Sequence, residues 1–185
     1  GEAGIWYSSR ADKTWHTERI FSHTQSESID MLDVTLQGQG IAFVYRYSDH
    51  QRLGFAYQGE DGGWRREELP SLSTKGKVLL GATLDVISSG KTVHIAAYDQ
   101  ESGEILLVSG RPGKWQVSRF GAIDGGGAVR SGLPCRLVLG LDSGIRLVYR
   151  DRTLNRVMMV SDVDGVVQTT TVADGQRVVP DLGIT

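Results

Sequence analysis

An internal repeat of about 50 residues constrains this chain more than any other feature. Four kinds of short apolar run recur in a fixed order. The first is MLDVTLQ (31–37), ATLDVIS (82–88) and CRLVLGL (135–141). The second is IAFVYR (41–46), HIAAYD (94–99) and IRLVYR (145–150). The third is AGIWYSS (3–9), LGFAYQG (53–59), EILLVSG (104–110) and RVMMVSD (156–162). The fourth is TWHTERI (14–20), GWRREEL (63–69), KWQVSRF (114–120) and VVQTTTV (166–172). The runs are rich in β-branched and aromatic residues and are bounded by Gly, Asp, Ser or Asn, which marks strands and turns. No window of a dozen residues carries the helical spacing of apolar positions.

Matched positions give the period. Tyr45, Tyr98 and Tyr149 align in the second run, and Tyr7, Tyr57, Val108 and Val160 in the third. Trp15, Trp64 and Trp115 align in the fourth, with Val167 in the last copy. The longest connection is the Gly-rich stretch 121–133.

Four strands per unit at this period is the pattern of a β-propeller blade. A single twisted sheet cannot cover both of its own faces, and stacking similar sheets covers them. The second run fits such a sandwiched strand. Ile41, Phe43 and Tyr45 share one face while Ala42 and Val44 share the other, so both faces are apolar. The expected fold is all-β: one domain over 1–185 with repeats at 31–80, 81–133 and 134–176 and partial repeats at 1–30 and 177–185. The ends are out of phase with the repeat. Either the chain closes as a four-bladed ring, or it is part of a larger propeller completed by another chain or copy; the second is favoured, because unpaired strand edges invite association.

Composition narrows the function. Lys and Arg number 20 against 22 Asp and Glu, a net charge of −2. Phosphate binding favours a basic excess, so nucleic acid is not the expected partner. Cys135 is the only cysteine, which excludes an intrachain disulfide and a cysteine metal cluster. No run has the roughly 18 apolar residues of a membrane helix. The start, GEAGIWYSS, has no signal-like core, so an exported chain is expected to have lost its signal. An extracellular or periplasmic location is slightly favoured over a reduced compartment.

The succession HIAAYDQESGEILLVSGRPGKWQV (94–117) resembles the repeats of sialidase-like (Asp-box) and lectin-like β-propellers. The likeness covers nearly the whole chain but the motif is loose. Ser9 to Trp15 and Asp61-Gly62-Gly63-Trp64 come nearest to an Asp-box, and both have too short an Asp-to-Trp spacing. The resemblance implies the fold and a lectin-like role. It carries no catalytic residue across, and fold analogy alone does not assign function.

Candidate ligand residues come from the second run. Arg46, Asp99 and Arg150 follow the aligned Tyr45, Tyr98 and Tyr149 and are expected to ring one end of the propeller. Guanidinium groups there suit a carboxylate or sulfated sugar; the structural alternative is a set of ion pairs between sheets. Trp6 is the tryptophan outside the repeat logic, fit either to stack on a sugar or to pack on a missing partner. The other three recur and are expected to be structural. His16, His23, His50 and His94 lack zinc-ligand spacing,. The oxygen-rich stretches Asp99 to Glu104 and Asp162 to Gly165 leave calcium as a minor possibility and otherwise read as turns; no other cofactor is expected.

The expected function is a non-catalytic module that recognises carbohydrate or protein through its loops. The rivals are part of a sialidase-like hydrolase or polysaccharide lyase, and a structural subunit completed by another chain.

Overall fold

The computed structural model describes residues 4–22, 28–38, 40–72, 78–102, 104–120, 135–142, 144–151, 156–163 and 166–174. The Gly-rich stretch 121–133, His23, Gly103, Asp164-Gly165 and the partial repeat 177–185 lie outside these residues.

All regular structure among the described residues is β-strand. The first sheet is the hairpin β1 (Gly4–Ala11) and β2 (Thr14–Ser22). The second runs β3 (Ile29–Gln37), β4 (Gly40–Tyr47), β5 (Leu53–Gln58) and β6 (Trp64–Glu68). The third runs β7 (Leu80–Ser89), β8 (Thr92–Asp99), β9 (Ile105–Arg111) and β10 (Lys114–Phe120). The fourth runs β11 (Cys135–Leu139), β12 (Ile145–Asp151), β13 (Arg156–Val163) and β14 (Val166–Asp174). Each is an antiparallel meander in chain order, which short turns permit. Pro112-Gly113 makes one such turn, with proline first and Gly113 at φ 75°, the residues a type II turn requires.

Pairing register fixes which residues are equivalent. Ala56, Val108 and Val160 each lie opposite a residue two places beyond Trp64, Trp115 and Val167. Across the other edge they face Phe43, Ile95 and Leu147, which in turn face Val34, Val86 and Leu137 on the inner strands. These sets of three are therefore structurally matched.

The matched residues point the same way in every sheet. Phe43, Tyr45 and Ala56 pack back onto Ile5, Ile20 and Phe21 of the first sheet. Ile95, Ala97 and Val108 pack back onto Ala42, Val44 and Phe55 of the second. Leu147, Tyr149 and Val160 pack back onto Ala96, Tyr98 and Ile105 of the third. Consecutive sheets thus stack front to back, and the core is three interlayer slabs instead of one central cluster. The alternation expected along 41–45 is what places Phe43 and Tyr45 in one slab and Ala42 and Val44 in the next.

Candidate functional site

The register revises the sequence alignment. Tyr98, not Asp99, occupies the place of Arg46 and Arg150, and Ala97 takes the place of Tyr45 and Tyr149. Matching the tyrosines by sequence slipped β8 by one residue, which in a strand exchanges the two faces. Arg46, Asp99 and Arg150 are therefore not equivalent positions.

Arg46 and Asp99 are nevertheless brought to the same segment. Arg46 is buried; its Nε and Nη2 donate to the Asp30 carboxylate at 2.8 and 2.9 Å. Its Nη1 donates to the Leu80 carbonyl at 2.9 Å and also to that of Gly81. Asp99 is buried too and accepts from the Leu79 amide at 3.2 Å, the Glu101 amide at 3.1 Å and the Ser102 hydroxyl at 2.7 Å. Arg46 thus holds the start of β7 against the second sheet, while Asp99 ties the residue before β7 to the turn after β8 within the third. Arg46 holds Asp30 ionised, its carboxyl lowered first by that hydrogen bond. Tyr45, Tyr98 and Tyr149 are buried in the slabs and Arg150 is half-buried. Trp6 is exposed, with the Arg19 guanidinium 5.9 Å from its ring centre.

Two recurring staples join the sheets. Trp64 Nε1 donates to Glu18 at 3.0 Å while its ring meets Tyr7 edge-on at 5.7 Å. Trp115 Nε1 donates to Glu67 at 2.9 Å while its ring meets Phe55 edge-on at 5.0 Å. The second staple lies on the inner strands. Asp33 accepts from the Val86 amide at 2.8 Å, and Asp85 accepts from the matched Leu137 amide. Arg136, standing where a third such aspartate would be, donates to Asp85 at 2.8 Å. Burial raises the Asp33 carboxyl against the lowering effect of its amide donors. The sequence carries both signals, as Leu-Asp-Val at 32–34 and 84–86 and as Trp-x-x-Glu at 15–18 and 64–67. Neither pattern is marked by the apolar periodicity of the strand runs, because the aspartates and glutamates lie between the apolar positions.

Among the described residues, two clefts stand out on this frame. The first, about 430 Å³, lies at the end of the third sheet that carries the β7–β8 and β9–β10 turns. Lys91, Arg111 and Lys114 supply three cations; Thr92, Ser109 and Gln116 supply hydroxyls and an amide; Trp115 supplies a ring and Gly110 the floor. A Cβ on Gly110 would lie 2.1 Å from the Lys114 carbonyl oxygen, so only glycine lets β9 and β10 meet there. His94 Nδ1 lies 2.9 Å from the Ser109 hydroxyl, and burial lowers the imidazole's pKa. The second cleft, about 450 Å³, lies between the first sheet and β3 and is apolar, lined by Ile5, Trp6, Ile20, Leu32, Val34 and Phe43 among others. Of the candidate residues from the sequence, Trp6 alone lines either cleft. Among the described residues no three of His, Cys, Asp and Glu are grouped to hold a metal ion, and no helix is long and apolar enough to cross a membrane.

Comparison with known proteins gives a likeness of fold. No protein-family model and no curated protein sequence matches the chain. Among solved structures it is similar to AofleA from Arthrobotrys oligospora, in a variant with three arginines changed to alanine. The TM-score is 0.56 at 15% identity, over 89% of this chain and 48% of that one. The chain spans about half the length of the structure it matches. The class so defined is an all-β protein of stacked antiparallel sheets.

Proposed function

We propose that this chain is a non-catalytic carbohydrate-binding module of β-propeller type, and that it takes an acidic or sulfated glycan in the cleft beside Trp115. The observation that carries the reading is the cleft's lining: three cations around an indole, with hydroxyl and amide groups between them. Ring faces pack on the apolar faces of sugars, while Lys and Arg meet carboxylate or sulfate. The staple to Glu67 and Phe55 fixes the Trp115 ring in place, so little side-chain freedom is lost on binding. The resemblance of the repeats to lectin-like propellers supports the same class, and the likeness to AofleA supports the all-β fold on which it rests.

The test is a calorimetric titration with a heparin oligosaccharide, an oligogalacturonate and a neutral glucan. The expected result is salt-sensitive binding of an acidic glycan, weakened about 100-fold or more when Arg111 and Lys114 are both changed to alanine, since each lost charge-assisted bond costs about 1.5–3 kcal/mol. Equal affinity in the double variant, or no preference for acidic over neutral glycan, contradicts it.

A further inference from the structure

His94 stands behind the cleft beside Trp115 without lining it. On β8 it lies opposite Ser109 of β9, and Ser109 lies opposite Gln116 of β10. On its other side His94 faces Ile87 of β7. Residues directly opposite on neighbouring strands share a face, so these four form one row across the third sheet. The row runs from the apolar slab, against which Ile87 packs, to the cleft, which Ser109 and Gln116 line. His94 sits at the join, half-buried, with Nδ1 2.9 Å from the Ser109 hydroxyl oxygen.

Apolar groups and cations surround this imidazole. Ala96, two residues on and on the same face, packs with Ile87 against Leu137, Ile145 and Leu147 of the fourth sheet. On the third sheet the charged groups at this end are Lys91, Arg111 and Lys114. From the second sheet Glu67 reaches the cleft's far side, where it accepts from the Trp115 indole at 2.9 Å and the Gly113 amide at 3.0 Å. Burial lowers the imidazole's pKa, so the neutral ring prevails in the free protein at neutral pH.

The Ser109 hydroxyl has one proton to give. When Nδ1 of the neutral ring is bare, that proton goes to Nδ1, and the hydroxyl turns only lone pairs to the cleft. An imidazolium always donates from Nδ1. The Ser109 O–H is then released towards the cleft, where it suits a carboxylate or sulfate oxygen. The added positive charge joins those of Lys91, Arg111 and Lys114.

We infer that the His94–Ser109 pair couples glycan binding in this cleft to proton uptake, so that an acidic glycan is held more tightly as the medium becomes acidic. The inference rests on the glycan reading of the cleft and adds its regulation. An anion bound beside Ser109 raises the pKa of His94 above its value in the free protein. The gain in affinity is absent above the pKa of the complex, grows as pH falls, and is complete below the pKa of the free protein.

The probe is a heparin oligosaccharide, whose sulfate groups stay ionised throughout the imidazole range. Its affinity is measured by calorimetry at about pH 8 and about pH 5, on either side of an ordinary histidine, at constant ionic strength. The expected result is about 10-fold tighter binding at the lower pH, the order expected for one added charge within about 6 Å of the anion in a partly screened site. Binding heats in buffers of different ionisation enthalpy are expected to show proton uptake between these limits. His94→Gln retains a hydrogen-bonding group beside Ser109 but does not titrate, and is expected to bind equally at both pH values. In the unmodified protein the His94 imidazole, followed by NMR, is expected to titrate at higher pH with the oligosaccharide bound than without it. Equal affinity at both pH values, an unmoved His94 titration, or pH dependence kept in His94→Gln overturns the inference and leaves the glycan cleft standing. Absence of oligosaccharide binding at either pH overturns the cleft reading itself, and this inference with it.

Discussion

Gly54 shows how closely single residues are fitted between the sheets. A Cβ there would lie 2.1 Å from the Tyr45 ring, which is 1% exposed and tilted against Phe21 and Phe43 at 5.3 and 6.2 Å. The ring has nowhere to move without opening the slab between the first and second sheets. Gly54→Ala is expected to destabilise the protein by about 1–3 kcal/mol, the usual cost of overpacking a close-packed interior. Chemical denaturation measures this directly, and a variant as stable as the parent contradicts the packing described. The burial of Tyr45 was legible, because alternation along 41–45 marks a strand covered on both faces. The role of Arg46 was not. A charged residue ending an apolar run reads equally as a ligand group or a clamp, and only the position of the Asp30 carboxylate and the Leu80 carbonyl distinguishes them.

Among elements, the strands were legible from their length, composition and turn residues, and the four-strand unit from its period. Register was not. Tyr98 follows Tyr45 by about one period, yet pairing sets it beside the arginine positions. A one-residue slip leaves the apolar pattern of a doubly buried strand almost unchanged, since both faces are apolar. Polar staples resist such slippage better, because each needs a particular donor opposite a particular acceptor. The Trp115–Glu67 bond illustrates this at 2.9 Å. A double-mutant cycle with Trp115→Phe and Glu67→Gln is expected to show coupling of about 1 kcal/mol. Additive effects would mean that the indole N–H contributes nothing to holding the third sheet on the second. The cleft cations were missed for a related reason. Lys91 sits in the β7–β8 turn, while Arg111 and Lys114 flank the β9–β10 turn. They lie about 20 residues apart in sequence and meet only because β8 and β9 are neighbours.

In the whole molecule, stability comes from sheets that each cover the one before. Such an arrangement is close to one-dimensional, with each unit contacting its neighbours. It explains why the apolar core of the described residues is divided into three slabs, and why Leu32, Val34 and Leu36, with no inner strand before them among the described residues, are exposed. The exposure of the β3 stripe is not legible in its sequence. Leu32, Val34 and Leu36 read like any other buried strand residues until their neighbours are placed.

Amide hydrogen exchange by NMR on the intact chain tests this stacking most directly. Val34, Val86 and Leu137 hold matched positions on β3, β7 and β11. If each sheet protects the next, the Val86 and Leu137 amides, which donate to Asp33 and Asp85, exchange about 100-fold or more slowly than the Val34 amide, because protection follows local burial and hydrogen bonding. Equal protection at all three positions would mean that the bonds to Asp33 and Asp85 and the cover of the preceding sheet add nothing at Val86 and Leu137, and would contradict the stacking.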